Sequence, residues 1–291
     1  MKYTQPVYRP PYEANTLLLQ VTVGCAHNKC TFCTMYRDVK FQVEKIDQVE
    51  KDLQEAQQLY GNVKRVFLVN GDAFVLSAKR LKEIAEKVHH YLPEVEKITM
   101  YSSINNIKHK SDEELAELAK LGIGDLWIGV ETGHGEALKY LNKGSSIEDA
   151  YEPLERLNKA GITFFYGFMF GAAGKGKGIE NAEANAKLIN KVKPLGIVPT
   201  TLSPNEGTQL AKDIADGTFE LATERELFEE QKKTIELVDV PTYYMGIHII
   251  NSVSFDAELP KGKQGAIDRV NHAISNTNEA ILDSVPERHS I

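Results

Sequence analysis

The 291-residue sequence has no long apolar run, no run of basic residues and very few cysteines. No stretch approaches the roughly 20 consecutive apolar residues that cross a bilayer, so we expect no contact with a membrane. The polar start, MKYTQPVYRPPYEAN, has no apolar core of the kind found in signal peptides, which favours a cytoplasmic location. Lys and Arg number 34 against 41 Asp and Glu, a net charge of −7, and we expect no nucleic-acid partner.

The three cysteines, Cys25, Cys30 and Cys33, lie within one short segment. A disulfide framework would spread its cysteines along the chain and pair them, so the tight group favours a metal or cluster site. Three thiolates can hold three irons of a 4Fe–4S cluster, which usually takes four cysteines, and one iron would remain open to another ligand. A Cys3His zinc site with His27 is an alternative, although structural zinc sites usually take ligand pairs from separated segments.

Apolar runs rich in β-branched and aromatic residues alternate with charged, amphipathic stretches. The runs are continuous rather than alternating, which is typical of parallel strands buried on both faces. They occupy residues 16–23, 63–70, 97–104, 125–131, 162–171 and 196–203. The pattern predicts an α/β fold, either a doubly wound sheet or a barrel, and six units are fewer than the eight of a closed barrel.

The strand–helix rhythm defines three regions. Residues 1–15 form a predicted N-terminal extension, and residues 16–204 carry the six strand–helix units. Residues 205–291 form a predicted α-rich C-terminal extension without a low-complexity linker, so we expect it to pack on the same domain and line a substrate cavity. Its predicted helices, at 223–238 and near 266–285, flank a segment that we expect to be irregular.

The helical stretches carry a recognisable start signal in one place. Residues 43–60 have apolar side chains on one stripe, as an amphipathic helix does. Ser111, with Glu114 three residues later, has the spacing of a capping box and predicts a helix over 112–121.

The cysteine loop follows the first predicted strand, at the carboxyl end where ligands gather in parallel α/β folds. Its spacing, Cys25-x4-Cys30-x2-Cys33 with the aromatic Phe32 before the last cysteine, resembles the radical S-adenosylmethionine (SAM) superfamily. The usual spacing there is C-x3-C-x2-C, so the first gap is one residue longer. The resemblance covers residues 16–204 and implies a partial (β/α)6 TIM-type barrel with a 4Fe–4S cluster and SAM as cofactors.

The same resemblance implies an activity. In that family SAM chelates the open iron, and an electron from the cluster cleaves SAM to methionine and a 5′-deoxyadenosyl radical that abstracts hydrogen. The chain is most similar to stand-alone members of the broad iron–sulfur oxidoreductase group. It would therefore be an enzyme acting on a small-molecule substrate, with a reducing partner of the flavodoxin or ferredoxin type.

The resemblance also implies contacts to SAM. Gly71 and Asp72 match a Gly-Gly-Glu-like turn that holds the SAM amino group, with Asp72 in place of the usual Glu. Glu131 would face the ribose or methionine, and Lys143 the carboxylate. The other implied cofactor contacts are Phe32, Ser103, Asn105 and Leu202. The segment 168–174 resembles a turn after the fifth strand but lacks its acidic residue. Purely structural interpretations remain open: a turn for Gly71–Asp72, a strand end for Glu131 and a helix-terminal charge for Lys143.

Polar residues interrupt an apolar segment of the C-terminal extension. Tyr244, His248 and Asn251 are predicted to contact the substrate, although a histidine in such a segment is more often a core residue. Two functions other than an enzyme remain open. One is a cluster- and SAM-binding trafficking protein, like the haem chaperones related to oxygen-independent coproporphyrinogen oxidases. The other is a plain iron–sulfur or metal-binding protein without a SAM site.

Overall fold

The computed structural model describes residues 1–4 and 6–288. The chain forms two compact units, and each is assembled from separate stretches of sequence. The first unit contains Met1–Asn28, Tyr36–Gly129 and Glu152–Phe164. The second contains Lys29–Met35, Val130–Tyr151 and the chain from Phe165 onward.

Every predicted apolar run contains a strand. In chain order the described strands are β1 (Leu17–Gln20), β2 (Thr22–Val23), β3 (Gln42–Val43), β4 (Arg65–Val69), β5 (Lys97–Ser102), β6 (Leu126–Glu131), β7 (Phe164–Phe170), β8 (Gly196–Thr201), β9 (Thr242–Met245) and β10 (Asp256–Leu259). Because their apolar side chains are buried on both faces, the long strands must be covered on both sides.

The described helices follow the strands as the sequence predicts. They are α1 (Ile46–Leu59), α2 (Ala78–Tyr91), α3 (Ile104–Lys108), α4 (Asp112–Lys120), α5 (Gly135–Leu141), α6 (Glu148–Ala160), α7 (Gly178–Val192), α8 (Gln209–Ala215), α9 (Glu224–Leu237), α10 (Lys263–Asn276) and α11 (Glu279–Leu282). Ser111 and Glu114 form the predicted capping box at the start of α4. None of the described helices is long and apolar enough to cross a membrane.

The pairing of strands in the two units is mostly parallel. In the first unit β4 lies between β1 and β5, and β5 pairs with β6, all in parallel. In the second unit β7, β8 and β9 pair in parallel in that order, and β10 adds antiparallel to β9. The predicted α/β class is therefore confirmed.

The N-terminal extension is tied to the first unit by a buried carboxylate. Glu13 ends a short 3-10 helix, Pro11–Glu13, and is almost fully buried. It accepts hydrogen bonds from Arg65 at the start of β4, with Nη2–Oε1 at 2.7 Å, and from Nε1 of Trp127 at 2.9 Å. Glu13 thus ties the N-terminal extension to the amino ends of β4 and β6.

The C-terminal extension contains more structure than the sequence predicts. The segment expected to be irregular holds the antiparallel pair β9 and β10. In β9 buried and exposed residues alternate, and four such residues are too few to give a strand signal. The helix predicted near 266–285 is two helices, because the chain leaves the helix at Thr277 and Asn278 caps α11 through the amide of Ala280.

Candidate functional site

The first half of the cysteine loop belongs to the first unit. Cys25 is partly buried and follows β2 after Gly24, whose φ of +75° lies in the region that glycine adopts without strain. The loop turns back at Asn28, whose Nδ2 donates to the carbonyl of Tyr36 at 2.7 Å. A side-chain hydrogen bond therefore fixes the backbone that follows Cys25.

Gly71 approaches Cys25 closely in the same unit. A Cβ on Gly71 would lie 2.4 Å from Cε2 of Tyr36 and 3.2 Å from Cβ of Cys25, so a larger residue does not fit. The hydroxyl of Tyr36 also donates to Oδ1 of Asn70 at 3.4 Å. Two predicted site residues, Cys25 and Gly71, are thus neighbours.

The second half of the loop belongs to the second unit. Cys30 and Cys33 are partly buried there. Thr31, between them, is held on both sides: its amide donates to the carbonyl of Leu141 at 3.2 Å, and its carbonyl accepts from the amide of Leu210 at 3.0 Å. The end of α5 and the start of α8 therefore fix the backbone between these cysteines.

Phe32 packs against an apolar cluster of the second unit to which Leu202 belongs. Its ring packs against buried residues that include Leu202 at the end of β8 and Leu141 at the end of α5. Its carbonyl accepts a hydrogen bond from Nδ2 of Asn205 at 3.2 Å. The structure brings together these two predicted cofactor contacts.

The chemistry of the three thiols fits an iron–sulfur cluster. Thiolates are the ligands that such clusters take, and each thiolate holds a different iron. In the described part of the chain, no group of three His, Cys, Asp or Glu side chains converges as the ligands of one metal ion would.

Asp72 follows Gly71 and is buried, with 5% of its surface exposed. Its Oδ1 accepts a hydrogen bond from Nδ2 of Asn106 in α3. Ser103 caps α3, where its Oγ accepts from the amide of Asn106 at 3.4 Å. Asn105 is partly buried on the same helix. The residue that reaches Asp72 is therefore Asn106, which the sequence analysis did not select.

Glu131 and Lys143 form an ion pair in the second unit. Nζ of Lys143 lies 2.8 Å from Oε1 of Glu131, and the side chains are 18% and 15% exposed. Glu131 ends β6 with a φ of +75°, a conformation that non-glycine residues adopt only when their surroundings impose it. Gly133, two residues later, lies against α7, since a Cβ there would lie 2.4 Å from the carbonyl of Ala184. The turn after Glu131 is thus packed directly on a helix.

A buried polar network supports this turn. The amide of Gly133 and the hydroxyl of Tyr166 both donate to Oδ1 of Asn185 at 2.9 Å. Asn181, one turn earlier on α7, accepts from the hydroxyl of Thr132. Burial raises the pKa of Tyr166 well above its ordinary value, and the Glu131 carboxylate acts in the same direction. The network therefore holds neutral hydrogen-bonding groups next to Glu131.

Glu230 brings a carboxyl group to the turn that follows β7. It is fully buried on α9, and its Oε2 accepts from the amide of Gly171 at 2.8 Å. Its Oε1 accepts from Nδ2 of Asn181 at 2.5 Å. Burial raises its pKa to about 8 against the opposing effect of these two donors. The segment 168–174 lacks an acidic residue of its own, and Glu230 contacts it from a distant part of the sequence.

The three polar residues of the C-terminal extension have different surroundings. Tyr244 is fully buried, and its hydroxyl accepts from Nε2 of Gln231 at 2.8 Å. Asn251 donates to the carbonyls of Pro199 at 2.9 Å and Gly246 at 3.1 Å. His248 is partly buried, and burial lowers its pKa, which favours the neutral imidazole at pH 7. Tyr244 and Asn251 thus fix the segment that carries His248.

Relatives with similar sequences cover most of this chain. The uncharacterized protein MJ0486 of Methanocaldococcus jannaschii is 24% identical over an alignment of 298 positions, which covers 91% of this chain and 88% of that protein. The 4′-phospho-dehydrooxetanocin synthase of Priestia megaterium is 24% identical over an alignment of 257 positions, which covers 79% of this chain. This chain spans only 32% of the synthase.

Two solved structures share the fold. Methylornithine synthase (PylB) has a TM-score of 0.55 at 14% identity, covering 88% of this chain and 68% of that chain. The radical SAM methyltransferase TsrM of Kitasatospora setae has a TM-score of 0.56 at 19% identity, covering 69% and 39%. At these identities the likeness establishes the fold alone, and it agrees with a partial TIM-type arrangement.

The family assignment rests on the sequence itself. The sequence model of the radical SAM superfamily matches residues 19–189, which is more than half of the chain. Members of this superfamily bind a 4Fe–4S cluster and SAM, and they are generally enzymes that carry out radical chemistry. The chain belongs to the radical SAM superfamily, and the predicted family, fold class and cofactors are confirmed.

Proposed function

We propose that this protein is a radical SAM enzyme in which Cys25, Cys30 and Cys33 each hold one iron of a 4Fe–4S cluster. The observation that carries the proposal is that these are the only cysteines of the chain, all partly buried, in a loop whose backbone is fixed by hydrogen bonds. Without a fourth thiolate, one iron is left for SAM. When bound, the cluster and SAM supply a 5′-deoxyadenosyl radical that abstracts hydrogen from the substrate.

The first unit would bind the amino group of SAM through Asp72. A carboxylate is the natural acceptor for an ammonium group, and charge-assisted hydrogen bonds are stronger than neutral ones. Gly71 supports this role, because its missing side chain lets the turn lie directly against Cys25. Ser103 and Asn105, at the start of α3, would lie towards the sugar.

Four further residues would contact the rest of SAM. We assign the SAM carboxylate to Lys143, whose ammonium group is held by Glu131 at 2.8 Å. Glu131 would keep its second oxygen for a ribose hydroxyl. Phe32 and Leu202 form an apolar surface that suits the adenine ring.

The substrate would be a small molecule. The names of two relatives, a 4′-phospho-dehydrooxetanocin synthase and a methylornithine synthase, support this class. His248 is the polar group of the C-terminal extension that we assign to the substrate, while Tyr244 and Asn251 hold its segment in place. An electron donor of the flavodoxin or ferredoxin type would reduce the cluster.

Iron loading tests the assignment of the cluster ligands. After anaerobic reconstitution, the wild-type protein should carry about four irons per chain, with the broad absorbance of a 4Fe–4S cluster. Cys25→Ala, Cys30→Ala and Cys33→Ala should each lose the cluster, since no other cysteine can replace the missing ligand.

His27→Ala is the matched control within the loop and should retain the full iron content. Tetrahedral zinc without iron in the anaerobically purified wild-type protein would contradict the proposal. Full iron loading of any one of the three cysteine variants would contradict it as well.

A further inference from the structure

A buried lysine connects α3 to the turn that carries Asp72. Lys110 follows α3 and is only 4% exposed. Its Nζ donates to the carbonyl of Phe74 at 2.7 Å and to the carbonyl of Asn106 at 3.3 Å. The ammonium group also lies 4.2 Å from the centre of the Phe74 ring. A buried charge needs such partners, and here they belong to two different elements.

These contacts fix Asp72 from both sides. Phe74 is in the 3-10 helix Ala73–Val75, which begins directly after Asp72. Lys110 therefore anchors the backbone that follows Asp72. Asn106 holds the side chain itself through the hydrogen bond from its Nδ2 to Oδ1 of Asp72. Asn106 and Lys110 thus hold the carboxylate of Asp72 and the backbone that follows it.

We propose that Asn106 and Lys110 are positioning residues that hold the Asp72 carboxylate in place for the amino group of SAM. This inference rests on the role of Asp72 in the proposed function. Both residues would act through Asp72 and would not contact SAM themselves. Their contribution to SAM affinity should therefore disappear when the Asp72 carboxylate is removed.

A double-mutant cycle on SAM affinity tests the proposal. The dissociation constant of SAM is measured anaerobically on cluster-loaded protein. Asp72→Asn should raise it about tenfold or more, since a charge-assisted hydrogen bond is lost. Asn106→Ala and Lys110→Met should each raise it about threefold to tenfold in the wild-type background. In the Asp72→Asn background each should change it by less than about twofold, because the sites are coupled.

A second readout does not depend on SAM. The amides of Val75 and Leu76 donate to the carbonyls of Asp72 and Ala73, so their hydrogen exchange reports the order of the turn. Exchange at both amides should accelerate in Lys110→Met. The matched control is Lys108→Met, an exposed lysine two residues earlier, which should change neither readout. Lys110→Met removes the charge but keeps most of the length of the side chain, and it serves for the cycle by itself if Asn106→Ala does not fold.

The possible failures have distinct signatures. If Asn106→Ala and Lys110→Met weaken SAM binding equally in the wild-type and Asp72→Asn backgrounds, the positioning role is overturned. The proposed function would still stand. Unchanged SAM affinity in both Asn106→Ala and Lys110→Met would overturn it too. If wild-type protein with a full cluster does not bind SAM, the proposed function itself fails.

Discussion

At the scale of single residues, the structure adds a contact that the family match does not show, the ion pair of Glu131 and Lys143. The resemblance predicts a SAM contact for each of the two residues, but it does not indicate that they contact each other. In the structure they lie 2.8 Å apart and are mostly shielded from water, where an ion pair is screened less than at the surface. We infer that Glu131 orients Lys143 before SAM binds.

Two substitutions separate the cofactor site from the substrate site. Lys143→Met should raise the dissociation constant of SAM about tenfold, because a charge-assisted contact to the SAM carboxylate is lost. His248→Ala should leave SAM affinity and iron content unchanged, since we assign His248 to the substrate. The SAM affinity of both variants is measured by anaerobic titration of cluster-loaded protein with SAM, and the iron content is measured separately. Loss of the cluster or of SAM affinity in His248→Ala would contradict the assignment.

The residues that could not be predicted from the sequence are polar residues on helices or directly after one. Asn106, Lys110 and Glu230 lie among other charged and polar residues, and nothing in their spacing distinguishes them from surface positions. Only the packed structure shows that each is buried and bonded to another element. For Ser103 the sequence indicates a cofactor contact, and the structure adds a structural role, since its side chain caps α3. Burial depends on contacts distant in sequence, which a local pattern does not encode.

At the scale of elements, the apolar runs predict the long strands because each run is continuous and ends in a turn signal. The strands β4, β5 and β6 lie inside their predicted runs with only the ends trimmed. The strands β9 and β10 are different: they have four residues each, and their apolar and polar residues are mixed. These strands form because β9 pairs with the edge of β8. That contact is distant in sequence, so a local pattern does not indicate it.

Glu230 links three elements and makes stability depend on pH. It connects α9 to α7 and to the turn after β7 through Asn181 and Gly171. Burial raises its pKa to about 8, above the value of about 4.3 in an unfolded chain. The folded state therefore holds a proton that the unfolded state releases. The resulting stabilisation is complete below about pH 4.3 and is lost as the pH rises through 8.

Urea unfolding between pH 5 and pH 9 measures this effect. The free energy of unfolding of the wild-type protein should fall with rising pH by more than that of Glu230→Gln, in which the titrating group is absent. Glu229→Gln, at the exposed neighbouring position, should follow the wild-type protein. The same pH dependence in Glu230→Gln and the wild-type protein would show that Glu230 is ionised throughout this range.

At the scale of the whole molecule, the family and cofactors could be predicted from one short loop. Three cysteines with an aromatic residue before the last indicate a cluster with an open iron, and the family match over residues 19–189 agrees. The substrate could not be predicted in this way. It depends on side chains from distant segments, and the residues assigned to it lie in the C-terminal extension, outside the matched range.

The central claim is that this protein cleaves SAM to generate a radical. The most direct test is to incubate anaerobically reconstituted protein with SAM and a strong reductant and to measure 5′-deoxyadenosine. Wild-type protein should form 5′-deoxyadenosine together with methionine, and Cys25→Ala should form neither. A cluster-loaded protein that binds SAM without forming 5′-deoxyadenosine would contradict the claim and favour a trafficking role. A cluster-loaded protein that does not bind SAM would contradict it in favour of a plain iron–sulfur protein.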